Sequence, residues 1–270
     1  MSRAFFLTLT LLLLMLAMPV RAQDYDAPTN PEDLNVIDGG TVKEVLKSDM
    51  IMLDNNKRYR LDNILVPPYE AAAAIDELNH EFLNKKVTVF TYHDLNNNLD
   101  RYGVPLAHIV TDNDEWMQGD LVAKGVAWAF SSETSEEMAD VLKHIEEKAR
   151  NQKAGFWKDP AYAVKVPDNV GDYINTYQIV QGKVLAVFVS SHGVFFNFGR
   201  DWKTDFTIKA PYKITNWFAI RDKNMRVKDM NPQDWKDKVV RVRGMVIENN
   251  GPMIELTHKE QIDIISKDGK

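Results

Sequence analysis

The chain has 270 residues, 44% of them hydrophobic and 27% charged, with no cysteine and a formal net charge of −6. Without cysteine there can be no disulfides, thiol nucleophiles or thiolate metal sites, so stability rests on burial and any metal would need oxygen or imidazole ligands. The acidic balance disfavours a long polyanion as partner, because affinity for nucleic acid rests mainly on neutralising phosphates; it does not forbid a local basic cleft.

The N-terminus decides the expected compartment. Arg3 gives a positive start, residues 5–16 are apolar apart from two threonines, and Val20-Arg21-Ala22 before Gln23 fits a small-x-small cleavage site. Residues 1–22 are therefore expected to be a signal peptide removed near Ala22, leaving an exported protein, periplasmic or extracellular. The apolar run is shorter than the roughly 20 residues that span a bilayer, and no second one follows, so no transmembrane segment is expected in the mature chain. Removing Arg3 and Arg21 from the 33 basic residues leaves 31 against 39 acidic ones, a charge of about −8. Residues 23–38 are polar and contain prolines, which suits an exposed leader. The remaining length suits two medium domains, residues 39–160 and 173–267, joined by a linker over 161–172, within a stretch from Lys158 to Asp172 whose two prolines and glycine interrupt any periodicity.

In the first module, residues 41–47, 50–53 and 58–66 read as a strand meander with turn chemistry at Asp54-Asn55-Asn56-Lys57. Residues 70–83 read as a helix with Ala71, Ala74, Ile75, Leu78 and Phe82 on its apolar face. Strands follow at 87–92 and 104–111 around an Asn-rich loop. Thr134 and Glu137 form a capping box for a helix whose apolar face is Met138, Val141, Leu142, Ile145 and Ala149. Asp94 to Asp100 imitates the start of a calcium loop, but Leu99 stands where glycine is required and Pro105 where the bidentate glutamate belongs, so it reads as a turn. The six histidines are scattered, with no pair at metal-ligand spacing.

Several segments carry a family resemblance: Tyr59-Arg-Leu-Asp-Asn-Ile-Leu-Val-Pro67, Asp100-Arg-Tyr-Gly-Val-Pro-Leu-Ala-His-Ile109, Leu121-Val-Ala-Lys-Gly-Val-Ala127, Glu147-Lys-Ala-Arg150 and Ala154-Gly-Phe-Trp157. In this order and spacing, over residues 40–157, they resemble the staphylococcal-nuclease-like (thermonuclease) family. The resemblance implies a five-stranded OB-type barrel with helices added, and a calcium-dependent phosphodiesterase. Such an enzyme places cationic donors on the phosphoryl oxygens, a base on water and a divalent ion on the developing charge.

Carried over residue by residue, Arg60 matches the first catalytic arginine and Asp49 a calcium-binding aspartate. The turn that should supply a further metal ligand and the base holds Leu65 and Pro68 instead, and Val104 takes the place of the second arginine. A general base is typically worth roughly a hundredfold to ten-thousandfold, and one oriented donor roughly a hundredfold to a thousandfold. Either loss alone would leave little of an efficient nuclease. Glu70, two residues past Pro68, is a candidate substitute base, and Arg101 stands near the vacant arginine position, but in a slot where the family commonly carries another basic residue, which points its side chain elsewhere. For Arg60 and Asp49 the alternative is structural: an arginine paired with a nearby carboxylate and an aspartate bonding turn amides. The missing partners favour that alternative. Asp100, Tyr102 and Gly103 read as loop-shaping residues, with Arg101 and Tyr102 retained as candidate ligand contacts.

The second module is mostly strand: residues 177–190 alternate, Val194 to Phe198 is apolar and aromatic, and residues 206–210 are short. Asn249-Asn250-Gly251 is a hairpin signal between residues 239–248 and 253–256, with 262–265 available to close the sheet. A second small OB-like β barrel is expected, which makes the whole chain mainly β with helices, an α+β class. This arrangement resembles a C-terminal extension found beside nuclease-like domains in some bacterial exported proteins. Asn197, Trp202 and Arg243 are candidate ligand contacts, because barrels of this kind bind oligonucleotides or sugars across one sheet with aromatic stacking. The alternative, which the sequence favours, is that Phe195, Phe196, Phe198 and Trp202 pack core and corners while Asn197 and Asp205 fix turns.

The functional expectation is an exported thermonuclease-family protein whose nuclease-like domain is degenerate and serves as a binding or scaffold module. Its partner would be an envelope protein, a cell-wall component or extracellular nucleic acid. The competing expectation is an active calcium-dependent nuclease built on Arg60 and an unorthodox base.

Overall fold

A computed structural model describes residues 35–91, 98–131, 136–221, 227–229 and 231–265. The expected signal peptide, the capping box at Thr134 and most of the Asn-rich loop lie outside the described residues. No helix among the described residues is long and apolar enough to cross a membrane.

The first module is a closed barrel with strand order β1-β2-β3-β6-β5, built from β1 (Asn35–Lys47), β2 (Met50–Leu53), β3 (Arg58–Leu61), β5 (Lys86–Thr91) and β6 (Leu106–Thr111). The short β4 (Ile64–Leu65) pairs separately with β7 (Trp128–Ala129). Closure depends on β1, which pairs with β5 through residues 35–41 and with β2 through residues 42–47. Register shifts along β1 bend it from one partner to the other, as bulges do. The barrel thus begins at Asn35, inside the stretch read as an exposed leader.

Alternation buries Val42, Ile51, Leu53, Leu61, Val89 and Ile109 inside the barrel. Helix α1 (Ala71–Phe82) covers that core with Ala74, Leu78 and Phe82, spaced at i, i+4 and i+8. Helix α2 (Met117–Ala123) is buried along its whole length, and α3 (Glu136–Asn151) packs Leu142 and Ile145 into the same core. The sequence reading missed α2, because seven residues buried on every side show no helical periodicity.

Two motif glycines explain one part of the family pattern. Gly125 and Gly155 have φ of +65° and +47°, and a Cβ on either would lie 2.3 Å or less from a backbone oxygen of the other's segment. The N–H of Phe156 donates to the Gly125 carbonyl at 2.9 Å, so the two motifs meet backbone to backbone.

The second module shares one core between two sheets, where a single barrel had been expected. A five-stranded sheet has the order β15-β16-β11-β10-β9, from β9 (Ala186–Ser190), β10 (Gly193–Asn197), β11 (Thr207–Ala210), β15 (Ile247–Glu248) and β16 (Pro252–Glu255). A three-stranded sheet has the order β17-β14-β8, from β8 (Tyr177–Lys183), β14 (Val239–Met245) and β17 (Ile262–Ile265). The run 177–190 is two strands, one in each sheet, because the chain turns a corner at Val184 and Leu185. Phe196, Phe206, Trp235, Val240 and Ile254 fill the space between the sheets. β12 (Ala219–Arg221) and β13 (Val227–Asp229) form a separate two-stranded antiparallel ladder.

The stretch read as a linker is held firmly. Lys165 exchanges backbone hydrogen bonds with Ile179 and Gln181 of β8, and Val170 is fully buried in the second core. A third apolar cluster joins the modules, with Trp128 of β7 packed on Phe156, Tyr162 and Tyr177 at ring-centroid distances of 5.3 to 5.7 Å. The two modules are therefore one packed body.

Candidate functional site

Arg60 ends up between two acids. Parallel pairing of β3 with β6 sets Arg60 opposite Leu106, beside the loop that carries Asp100, while the turn between β1 and β2 brings up Asp49. The guanidinium Nη1 donates to Asp49 Oδ2 at 2.6 Å and Nε donates to Asp100 Oδ2 at 2.9 Å. Asp100 is itself anchored, its Oδ1 accepting from the N–H groups of Tyr102 and Val104 at 2.8 and 2.9 Å. Burial would raise the Asp100 carboxyl, but those amides and Arg60 outweigh it and lower its pKa. The result is a single cation held by two carboxylates, with 22% of its side chain exposed.

The other expected parts of the site do not join it. The Glu70 carboxylate accepts a hydrogen bond from the Tyr162 hydroxyl at 3.2 Å, next to the aromatic cluster between the modules. Burial first, and then Glu70, push Tyr162 up to about 12. Pro68 is exposed at the start of the turn leading into α1, and Val104 is half-buried. Arg101 and Tyr102 are exposed, and the guanidinium of the first lies 4.8 Å from the ring centroid of the second.

The fit to calcium is poor. A calcium ion takes about six to eight oxygen ligands. Here Asp49 already neutralises Arg60, and the neighbouring ligand position is the apolar Leu65. The donor set on these residues does not make a calcium site.

Residues 50–159 match the family model of the staphylococcal nuclease homologue. This stretch is an SNase-like domain. The match begins at β2, so β1, which completes the barrel of the SNase-like domain, lies ahead of it, and it ends before the second module. No curated protein matches the chain.

The candidates in the second module separate sharply. Arg243 on β14 is 3% exposed, its Nη1 donating to the Ala129 carbonyl at 2.9 Å and its Nη2 paired with Glu146 Oε2 at 3.0 Å. Burial would lower the guanidinium pKa, and Glu146 more than reverses that. Arg243 is thus a clamp onto α3 and the SNase-like domain, which corrects its reading as a ligand contact. Glu146 was missed, although a glutamate four residues after Leu142 on a buried helical face signals a charge in need of a partner.

Asn197 and Trp202, in contrast, line an open groove of about 730 Å³ on the outer face of the five-stranded sheet. The expectation that four aromatic residues pack the core holds for Phe196 and Phe198, which are 0% and 6% exposed. It fails for Trp202, 57% exposed, and for the half-buried Phe195, because alternation along β10 turns Phe195 and Asn197 outward while Val194 and Phe196 point in.

Proposed function

We propose that the chain is an exported binding or scaffold protein whose SNase-like domain serves as framework, without phosphodiesterase chemistry. The observation that carries this reading is the placement of Arg60 between Asp49 and Asp100. A guanidinium satisfied by two carboxylates has to break those contacts before it meets a phosphate, and two nearby negative charges repel the same phosphate. The replacement of the base by Pro68 and of the second arginine by Val104 supports the reading, as does the engagement of Glu70 with Tyr162. Export rests on the signal-like residues 1–22, and the partner is a macromolecule of the envelope or the surrounding medium.

The test is cleavage of single-stranded DNA by the mature protein in calcium, beside Arg60→Ala. The expected result is no cleavage that differs between the two proteins. Cleavage by the native protein that disappears in the variant would establish the alternative, an active nuclease built on Arg60.

A further inference from the structure

We propose that the groove on the outer face of the five-stranded sheet binds a neutral oligosaccharide, with Trp202 and Phe188 as stacking platforms and Asn197, Asn249 and Asn250 as partners for hydroxyl groups. The groove's volume of about 730 Å³ lies within the roughly 300–1,000 Å³ range of small-molecule sites. Its floor is set by register: Phe195 pairs with Phe188 on one side and Lys209 on the other, and Asn197 pairs with Ala186 and Thr207. The rings of Phe188 and Phe195 lie 6.4 Å apart, forming an apolar strip along the floor.

Charge decides between ligand classes. Lys209 is the one side chain of fixed charge lining the groove among the described residues, and its Nζ lies 2.7 Å from the Glu255 carboxylate. A lysine neutralised in this way offers little to a phosphate chain, whose affinity depends on unpaired cations. The exposed Lys203 ammonium, 5.8 Å from the Trp202 ring centroid, stands at the groove's rim, outside its lining. The remaining polar groups are amides and hydroxyls. Asn197 accepts from the Thr207 hydroxyl at 3.2 Å, and its amide hydrogens have no protein acceptor among the described residues.

A purely apolar ligand would leave those amides unsatisfied, at a cost on burial. A pyranose has an apolar C–H face and a rim of hydroxyls, matching a ring platform edged by amides. Phe188 and Trp202 are 60% and 57% exposed, so each ring has apolar surface that a stacked sugar would remove from water.

The proposal rests on the binding-protein reading, yet the two fail separately, because Trp202→Ala does not touch the Arg60 site and Arg60→Ala does not touch the groove. The experiment is calorimetric titration of the mature protein with cellohexaose, maltohexaose and chitohexaose, and with a short oligothymidylate, repeated on Trp202→Ala and Phe188→Ala. At least one sugar is expected to bind, with affinity falling about tenfold in each variant and thermal midpoints unchanged, since both rings are exposed. If Trp202→Ala alters the midpoint, Phe188→Ala carries the test. The proposal is overturned if no sugar binds at millimolar concentration, or if sugar binding survives both substitutions. Oligothymidylate binding that Trp202 governs would overturn it too, reassigning the face to nucleic acid.

Discussion

Arg243 of β14 and Glu146 of α3 pair at 3.0 Å with side chains 4% and 0% exposed, joining the SNase-like domain to the second module through a charge contact with almost no water. Around it, Arg241 reaches Glu147 at 3.2 Å, and Lys143 reaches Glu260 and Asp263 at 2.8 and 2.9 Å. A buried pair of this kind adds little over a well-packed apolar pair, but removing one member leaves the other poorly compensated in low dielectric: Glu146 would keep Arg150 at 3.7 Å and the Ala129 N–H, and Arg243 the Ala129 carbonyl.

Glu146→Ala and Arg243→Ala should therefore each destabilise the protein by about 3–5 kcal/mol. The double variant should cost much less than the sum, since each single change already breaks the pair. Urea denaturation of the four proteins measures this. Strict additivity would show that the two side chains do not share one interaction.

The glycine contact between the family motifs gives a second test. Gly125→Ala and Gly155→Ala put a methyl group against backbone oxygen as well as into positive φ, so each should cost well over about 2 kcal/mol. Gly103 has φ +77° with nothing within 4 Å of a built Cβ, so Gly103→Ala should cost only about 1–2 kcal/mol of backbone strain. Equal losses at all three positions would mean that steric contact plays no part.

Two carboxyls predict opposite responses to pH. Burial would raise Asp38, but hydrogen bonds from Tyr59, Asn55 and Gly39, together with Lys57, bring it down to about 2 from 3.8. Its contribution is present above the unfolded value and is lost as pH falls from about 4 through 2, an effect of about 2 kcal/mol. Asp120 is raised to about 6, because burial and the nearby Glu77 and Glu81 outweigh Lys124. Its neutral form favours folding, so its contribution is present below 3.8 and is lost as pH rises through 6. In denaturation curves taken from pH 2 to 7, Asp38→Asn should flatten the acid limb and Asp120→Asn the decline between pH 4 and 6. Unchanged pH profiles would sink both assignments.

The barrel's strands were legible because they are amphipathic and their turns carry Asn, Asp and Gly, but its closure was not, since the half of β1 that pairs with β5 begins at Asn35, inside the stretch read as a leader. Leu65, Pro68 and Val104 were legible as well, as residues that cannot do the work of the carboxylates and guanidinium the family resemblance implies at their positions. What the sequence hid were relationships fixed only in three dimensions. Asp100 lies 40 positions from Arg60 and reads locally as a turn residue, and it is both. Arg243 and Trp202 were both candidate ligand contacts, with packing the favoured reading of Trp202, until topology buried the arginine against Glu146 and left the tryptophan 57% exposed. The division into two domains with a linker followed prolines at 160 and 167, whose turns in fact pack along β8 and seat Val170.

Calcium supplies the last test of the Arg60 arrangement. An ion that binds only the folded state raises the thermal midpoint in proportion to RT ln(1 + [L]/Kd), whether or not any chemistry follows. Because Asp49 is engaged with Arg60 at 2.6 Å, exchanging EDTA for millimolar calcium should leave the midpoint within about 1 °C. Arg60→Ala would free Asp49 and Asp100 together, and any calcium-dependent rise should appear only in that variant. A rise in the native protein that Asp49→Asn abolishes would show that the ion displaces the arginine, and the guanidinium would then be available to a phosphate after all.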